Sequence, residues 1–131
     1  MNGLGSHVID LPKRVVIGNN ILDTLGAHLR ELFGQGLQVL VVTGPHVANI
    51  LYPRIRQVLE DSGFSVSHII AATSKVEEAE RVADEAAKDR VDIVLGLGGG
   101  KSIDLAKYAA AKSGKEMVSV PTAPSHDGIT S

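Results

Sequence analysis

Apolar residues in this chain follow two spacings that take turns. Short β-branched runs alternate with longer stretches in which apolar residues recur every three or four positions, the marks of strands and of amphipathic helices. Residues 1–11 read as a loose start, and Arg14-Val15-Val16-Ile17-Gly18 as a first short strand closed by the turn Gly18-Asn19-Asn20. Leu22, Leu25, Leu29 and Phe33 predict a helix over Ile21–Phe33, ended by Gly34 and Gly36. Val39-Leu40-Val41-Val42 is a continuous apolar run suited to a strand buried on both faces, and Thr43-Gly44-Pro45 turns the chain after it. Val47, Ile50, Leu51, Ile55, Val58 and Leu59 predict a second helix stopped by Gly63, with Pro53 imposing a kink or a late start.

Phe64–Ala71 reads as a third strand, half exposed because Ser65-Val66-Ser67 alternates. Ser74-Lys75-Val76-Glu77 has the spacing of a capping box. Behind it Val76, Ala79, Ala83, Ala86 and Ala87 give the next helix a small apolar face, and its charges, Glu77 to Lys88, form the solvated side. Asp92–Leu95 is the fourth strand. Gly96-Leu97-Gly98-Gly99-Gly100-Lys101-Ser102 is a glycine-rich loop leading into a helix from Ser102 to Ala111. Met117–Val120 is a fifth strand, and a polar loop follows it.

Strands that alternate with helices predict an α/β fold: a Rossmann-like, doubly wound, mainly parallel sheet with helices on both faces. A length of 131 residues suits one domain. In such sheets ligands bind beyond the carboxyl ends of the strands, and both unusual loops, 96–102 and 121–131, leave strands at that edge.

Charge and composition narrow the partners. The net charge is -2 and no dense basic run occurs, so nucleic acid is not expected. The absence of cysteine removes disulfides, thiolate catalysis and Cys-based zinc sites, and is compatible with the cytoplasm. Residues 1–7 lack a charged segment followed by an apolar core, so no signal peptide is expected. No apolar run approaches the ~20 residues of a membrane span, so membrane insertion is not expected either.

The glycine loop carries the chemistry. Glycine lets backbone approach a ligand closely, the helix that follows offers free N–H groups to a phosphate, and Lys101 adds a cation. Known signatures nearly fit. A P-loop would need glycine at Leu95, and the G-x-G-x-x-G fingerprint begun at Gly96 would need glycine at Lys101. Two readings stand: a phosphate or dinucleotide cradle, and a tight turn whose glycines serve packing. The second loop crowds Thr122, Ser125, His126, Asp127, Thr130 and Ser131 into ten residues, suited to phosphate, ribose and hydroxyl contacts or to ordinary turns. His7, His28, His46, His68 and His126 form no H-x-x-x-H pair and have no acidic partner at ligand spacing, so no metal set is expected in these 131 residues. His126 beside Asp127 is a poor triad, since neighbours in a loop rarely point at one centre.

Gly98-Gly99-Gly100-Lys101-Ser102-Ile103-Asp104-Leu105-Ala106-Lys107 and Val120-Pro121-Thr122-Ala123-Pro124-Ser125-His126-Asp127-Gly128-Ile129-Thr130-Ser131 together resemble the archaeal-type sn-glycerol-1-phosphate dehydrogenases. These belong to the glycerol dehydrogenase, iron-containing alcohol dehydrogenase and dehydroquinate synthase superfamily. The triple glycine with Lys and Asp is shared across the superfamily, whereas Ser-His-Asp-Gly-Ile is narrower. The likeness begins at Pro12-Lys13-Arg14 and includes Val41-Val42-Thr43-Gly44-Pro45.

The resemblance implies reduction of dihydroxyacetone phosphate to sn-glycerol 1-phosphate with NADH or NADPH, for archaeal membrane lipids, in a cytoplasmic homo-oligomer. It implies that Gly98, Gly99, Gly100, Lys101 and Ser102 hold the cofactor pyrophosphate. Thr122, Ala123, Pro124, Ser125 and Ser131 would meet the nicotinamide half, and Asp127 the substrate. The lack of an acid at Thr43-Gly44-Pro45 resembles enzymes that also accept NADPH. The resemblance further implies that residues 1–131 are the N-terminal NAD(P)-binding domain. The catalytic zinc would then sit on an Asp and two His of a helical C-terminal domain outside this chain, and these residues alone would turn over little. Alternatives are a non-catalytic nucleotide-binding module and a glycerol dehydrogenase or dehydroquinate synthase relative.

Overall fold

A computed structural model describes residues 8–10 and 20–122 of the chain. Five strands, β1 (Val8–Asp10), β2 (Gln38–Thr43), β3 (Ser65–Ile70), β4 (Ile93–Gly98) and β5 (Glu116–Pro121), form one sheet in the order β1-β5-β4-β2-β3. Every neighbouring pair is parallel. Five helices connect them: α1 (Asn20–Phe33), α2 (Pro45–Ile50), α3 (Tyr52–Asp61), α4 (Val76–Ala86) and α5 (Gly100–Ser113).

The period of two along each central strand builds two cores. Val39, Val41, Leu95 and Val118 point to one face, where Leu25 and Leu29 of α1, Leu51, and Ile55 and Leu59 of α3 cover them. Leu40, Val42, Val94 and Met117 point to the other, under Val82, Ala83 and Ala86 of α4 and Leu105, Ala106, Ala109 and Ala110 of α5. The sheet is therefore doubly wound, as the alternation of strands and helices predicts.

Several local expectations are corrected. Residues 8–10 are not loose: Val8, Ile9 and Asp10 pair with Met117, Val118 and Ser119 of β5. The strand expected over residues 14–18 lies outside the described residues. The helix after β2 is two helices, because Pro53 occupies the first turn of α3 and the chain breaks at Leu51. The capping box does not form. Lys75 is the N-cap of α4 and no side chain caps it, while Val76 is 73% exposed instead of packed. Strand β4 continues through Gly96 to Gly98, so the glycine loop shrinks to a turn at Gly98-Gly99.

Gly96 has a packing reason for lacking a side chain. A Cβ there would lie 2.9 Å from Ala106 Cβ and 3.2 Å from Ile103 Cα. The bare backbone and the alanines of α5 let this helix sit close to β4. That closeness sets where the first turn of α5 emerges at the carboxyl edge.

Candidate functional site

The connections leaving β2 and β4 run to opposite faces of the sheet, α2 and α3 to one and α5 to the other. Adjacent strands whose connections diverge leave a crevice at their carboxyl ends, the usual ligand position in open α/β sheets. A cleft of about 210 Å³ opens there. Its walls are Gly44, Pro45, His46 and Val47 after β2, Ala71 and Ala72 after β3, and Lys101 and Ser102 in the first turn of α5. Among the described residues no carboxylate lines it.

The turn from β4 into α5 is built for close approach. Gly98 has φ +135°, which only glycine adopts without strain. Gly99 caps α5 in an extended conformation, and no described side chain satisfies the helix's first N–H groups. The first helical bond is Ile103 N–H to Gly99 O at 3.0 Å. A Cβ on Gly100 would meet nothing within 4 Å, so that side of the turn is open. Lys101 is exposed and forms no salt bridge among the described residues.

Ser102 is 6% exposed, lines the cleft, and has no described hydrogen-bond partner for its hydroxyl. Its Oγ sits between two glycines: Cβ atoms on Gly98 and Gly44 would lie 3.4 and 3.9 Å from it. Two further hydroxyls at this edge are buried without a described partner, Thr43 Oγ1 at the end of β2 and Thr122 Oγ1 beyond β5. An unpartnered buried hydroxyl costs roughly 1–3 kcal/mol, and such groups concentrate where a ligand completes them. Thr122 is joined to the glycine turn through its N–H, which donates to Gly98 O at 2.9 Å.

The structure thus brings Gly98, Gly99, Gly100, Lys101 and Ser102 together and sets Thr122 on the neighbouring strand. Ala123, Pro124, Ser125, Asp127 and Ser131 lie outside the described residues. Gly44 and Pro45 belong to the Thr43-Gly44-Pro45 turn that the resemblance already ties to cofactor choice, whereas His46, Val47, Ala71 and Ala72 carry no signal in the sequence as site residues.

A larger hollow, about 520 Å³, lies at the opposite edge of the sheet. Asp89, Asp92 and Glu116 line it against one cation, Lys115, whose ammonium already donates to Lys88 O and Val91 O, an acidic balance that disfavours a phosphate. Asp92 is already engaged, with Oδ2 accepting from Gln38 N–H at 2.9 Å. The smaller cleft therefore has the better chemistry despite its size.

Among the described residues no group of three or more His, Cys, Asp or Glu side chains could hold a metal ion. His68 stacks on Tyr52 with ring centroids 4.2 Å apart, and burial pushes the Tyr52 hydroxyl pKa up. No helix among the described residues is long and apolar enough to cross a membrane.

Residues 16–131 match the family model described as iron-containing alcohol dehydrogenase. The glycerol-1-phosphate dehydrogenase [NAD(P)+] of Aeropyrum pernix is 48% identical over 125 residues, which are 95% of this chain and 36% of that protein. The enzyme of the same name from Methanosarcina barkeri is 37% identical over 94% of this chain and 34% of its own length. The chain spans about a third of the length of the curated relatives it matches. Among solved structures, glycerol dehydrogenase from Schizosaccharomyces pombe superposes with a TM-score of 0.68 at 20% identity, over 89% of this chain and 27% of that one. A probable glycerol dehydrogenase from Sinorhizobium meliloti 1021 gives 0.60 at 27% identity, over 95% and 30%.

Proposed function

This chain belongs to the iron-containing alcohol dehydrogenase family, and from that premise we propose that it is the NAD(P)-binding part of an sn-glycerol-1-phosphate dehydrogenase. The observation that carries the reading is the cleft closed by the Gly98-Gly99 turn and the first turn of α5, in which no described residue places a carboxylate and the Ser102 hydroxyl has no described partner. A dinucleotide fits this chemistry. The first N–H groups of α5 donate to pyrophosphate oxygens, Lys101 supplies the compensating charge, and Ser102 donates its hydroxyl. Gly100 leaves the space through which the phosphates approach.

A volume of about 210 Å³ is short of the roughly 300–1,000 Å³ of a whole small-molecule pocket, so the cleft takes the adenosine half. The nicotinamide half extends toward Thr122, whose buried hydroxyl gains a partner there. Ala123, Pro124, Ser125 and Ser131 continue that contact, and Asp127 holds the substrate, dihydroxyacetone phosphate or sn-glycerol 1-phosphate. No described residue lining the cleft carries a carboxylate that would repel a 2′-phosphate, so both NADH and NADPH are accepted in this reading. When bound, the dinucleotide supplies the hydride. This chain's residues bind and orient it.

The zinc of this reaction finds no ligand set among the described residues. A helical domain following residue 131 supplies it, and no catalytic step is assigned to the present residues. The full protein acts as a cytoplasmic homo-oligomer in this reading.

Calorimetric titration of the chain with NADH and NADPH tests it, with Gly100→Val in parallel. A Cβ at this position meets no atom within 4 Å, so the fold should persist, which circular dichroism of the variant checks. It fills the approach to the helix N-terminus, and binding should fall at least about tenfold. Equal binding by Gly100→Val and the parent chain removes the pyrophosphate from this turn.

A further inference from the structure

The wall of the cleft formed by Ala71 and Ala72 has an unusual means of support. It lies where edge strand β3 ends, and residues 71–75 have no regular secondary structure. Ala71 N–H still reaches Thr43 O at 2.9 Å. On either side of it, two side chains of α4 hold the main chain. Glu78 Oε1 accepts from Ala72 N–H at 3.1 Å, and Arg81 Nη2 donates to Ile70 O at 2.7 Å. The two side chains are locked to each other: Arg81 Nε and Nη2 both donate to Glu78 Oε2, at 3.1 and 2.9 Å. The Arg81 guanidinium and the Ala72 N–H hold the Glu78 carboxyl below the usual carboxylate range.

We propose that Glu78 and Arg81 are positioning residues that, by holding Ala72 N–H and Ile70 O, fix the Ala71-Ala72 wall for the adenosine half of the dinucleotide. This rests on the cofactor reading given above. Neither residue lines the cleft. An exposed ion pair contributes little on its own, and Arg56–Glu60 on α3 is such a pair, bonded only to itself at 3.0 Å. The Glu78–Arg81 pair differs because both members also hydrogen-bond main chain where β3 ends and regular structure stops, Arg81 to Ile70 O and Glu78 to Ala72 N–H. Releasing it lets the wall sample positions that do not bind, and apparent affinity falls by the fraction of time spent there.

The test titrates this chain with NADH and with AMP, in the parent and in Glu78→Leu, Glu78→Gln, Arg81→Ala and Arg56→Ala. Glu78→Leu and Arg81→Ala should weaken both ligands by the same factor, about fivefold. Exchange of the amide hydrogens of residues 71–73 should quicken in those two variants. Glu78→Gln keeps an oxygen for Ala72 N–H and should bind nearly as the parent does. Arg56→Ala should change nothing. A merely structural role would shift the unfolding midpoint in Glu78→Leu and Glu78→Gln alike, with no rescue of binding by glutamine. Parent-like binding by both Glu78→Leu and Arg81→Ala, or a glutamine variant as weak as the leucine one, overturns the clamp and leaves the cofactor reading intact. Failure of the folded parent chain to bind either ligand overturns both.

Discussion

Adding one methyl group at Gly96 should loosen α5 from the sheet. The new Cβ would stand 2.9 Å from Ala106 Cβ, against an optimum of about 3.5–4.0 Å for two carbons. Side-chain rotation offers no escape. Ala106 has no rotamer to change, and the next atom, Ile103 Cα at 3.2 Å, is backbone. The helix must back away by roughly half an ångström or more, carrying Leu105, Ala109 and Ala110 out of their contacts. Overpacking of this kind costs about 1–3 kcal/mol. Replacing glycine in a strand returns about 0.5–1 kcal/mol through the unfolded chain. The net loss is therefore centred near about 1 kcal/mol and reaches at most about 2.5 kcal/mol, a melting-point drop of roughly 4 °C at the centre for a domain of this size. Urea unfolding followed by circular dichroism measures it, with Gly100→Ala as the control because the same methyl group there meets nothing. Ala106→Gly combined with Gly96→Ala should show a favourable coupling energy. A Gly96→Ala midpoint equal to or above that of Gly100→Ala would mean that α5 does not rest on β4 as closely as described.

Two other outcomes follow from single groups. Thr43→Val removes a fully buried hydroxyl that has no described partner and keeps the shape, so it should raise the unfolding free energy by about 1 kcal/mol in urea melts; a loss would mean that the hydroxyl has a partner in solution. Stability should also depend on pH through the bridge between α4 and α5, where Glu80 bonds Lys112 and Tyr108. Lys112 and then Tyr108 hold the Glu80 carboxyl below its usual range, and Glu80 holds Lys112 above its own. The carboxylate's contribution is complete above about pH 4.3 and fades as pH falls through the lowered folded value; the ammonium's is complete below about pH 10.4 and fades above it. Urea midpoints taken from pH 3 to 7 should decline at the acid end, and Glu80→Gln should flatten that decline.

What the sequence made legible is what depends on neighbours along the chain. The β-branched run at Val39–Val42 and the helical spacing of Leu25, Leu29 and Phe33 each encode an element and its buried side, and both are found. The glycine turn was legible as a place of close approach. What it serves divides by position: Gly96 admits the alanines of α5, Gly98 takes a left-handed φ, and Gly100 faces open space. No local pattern separates these three glycines, because each role is set by a different partner. Strand pairing was the least legible. Gly96 and Gly98 have low strand preference, yet β4 runs through both because β2 and β5 bond it from either side, pairing Val42 with Gly96 and Gly98 with Pro121. For the same reason three residues at Val8–Asp10 form a strand that no periodicity announces. The cleft inherits this dependence. Its walls come from residues 44–47, 71–72 and 101–102, which meet only because the order of the strands sets β2 between β3 and β4. A phosphate-binding turn can be read from a short stretch of chain, whereas the surface that receives the rest of a dinucleotide is a property of the sheet's topology. The residues proposed to hold its wall, Glu78 and Arg81, sit where their own surroundings look like an ordinary solvated helix.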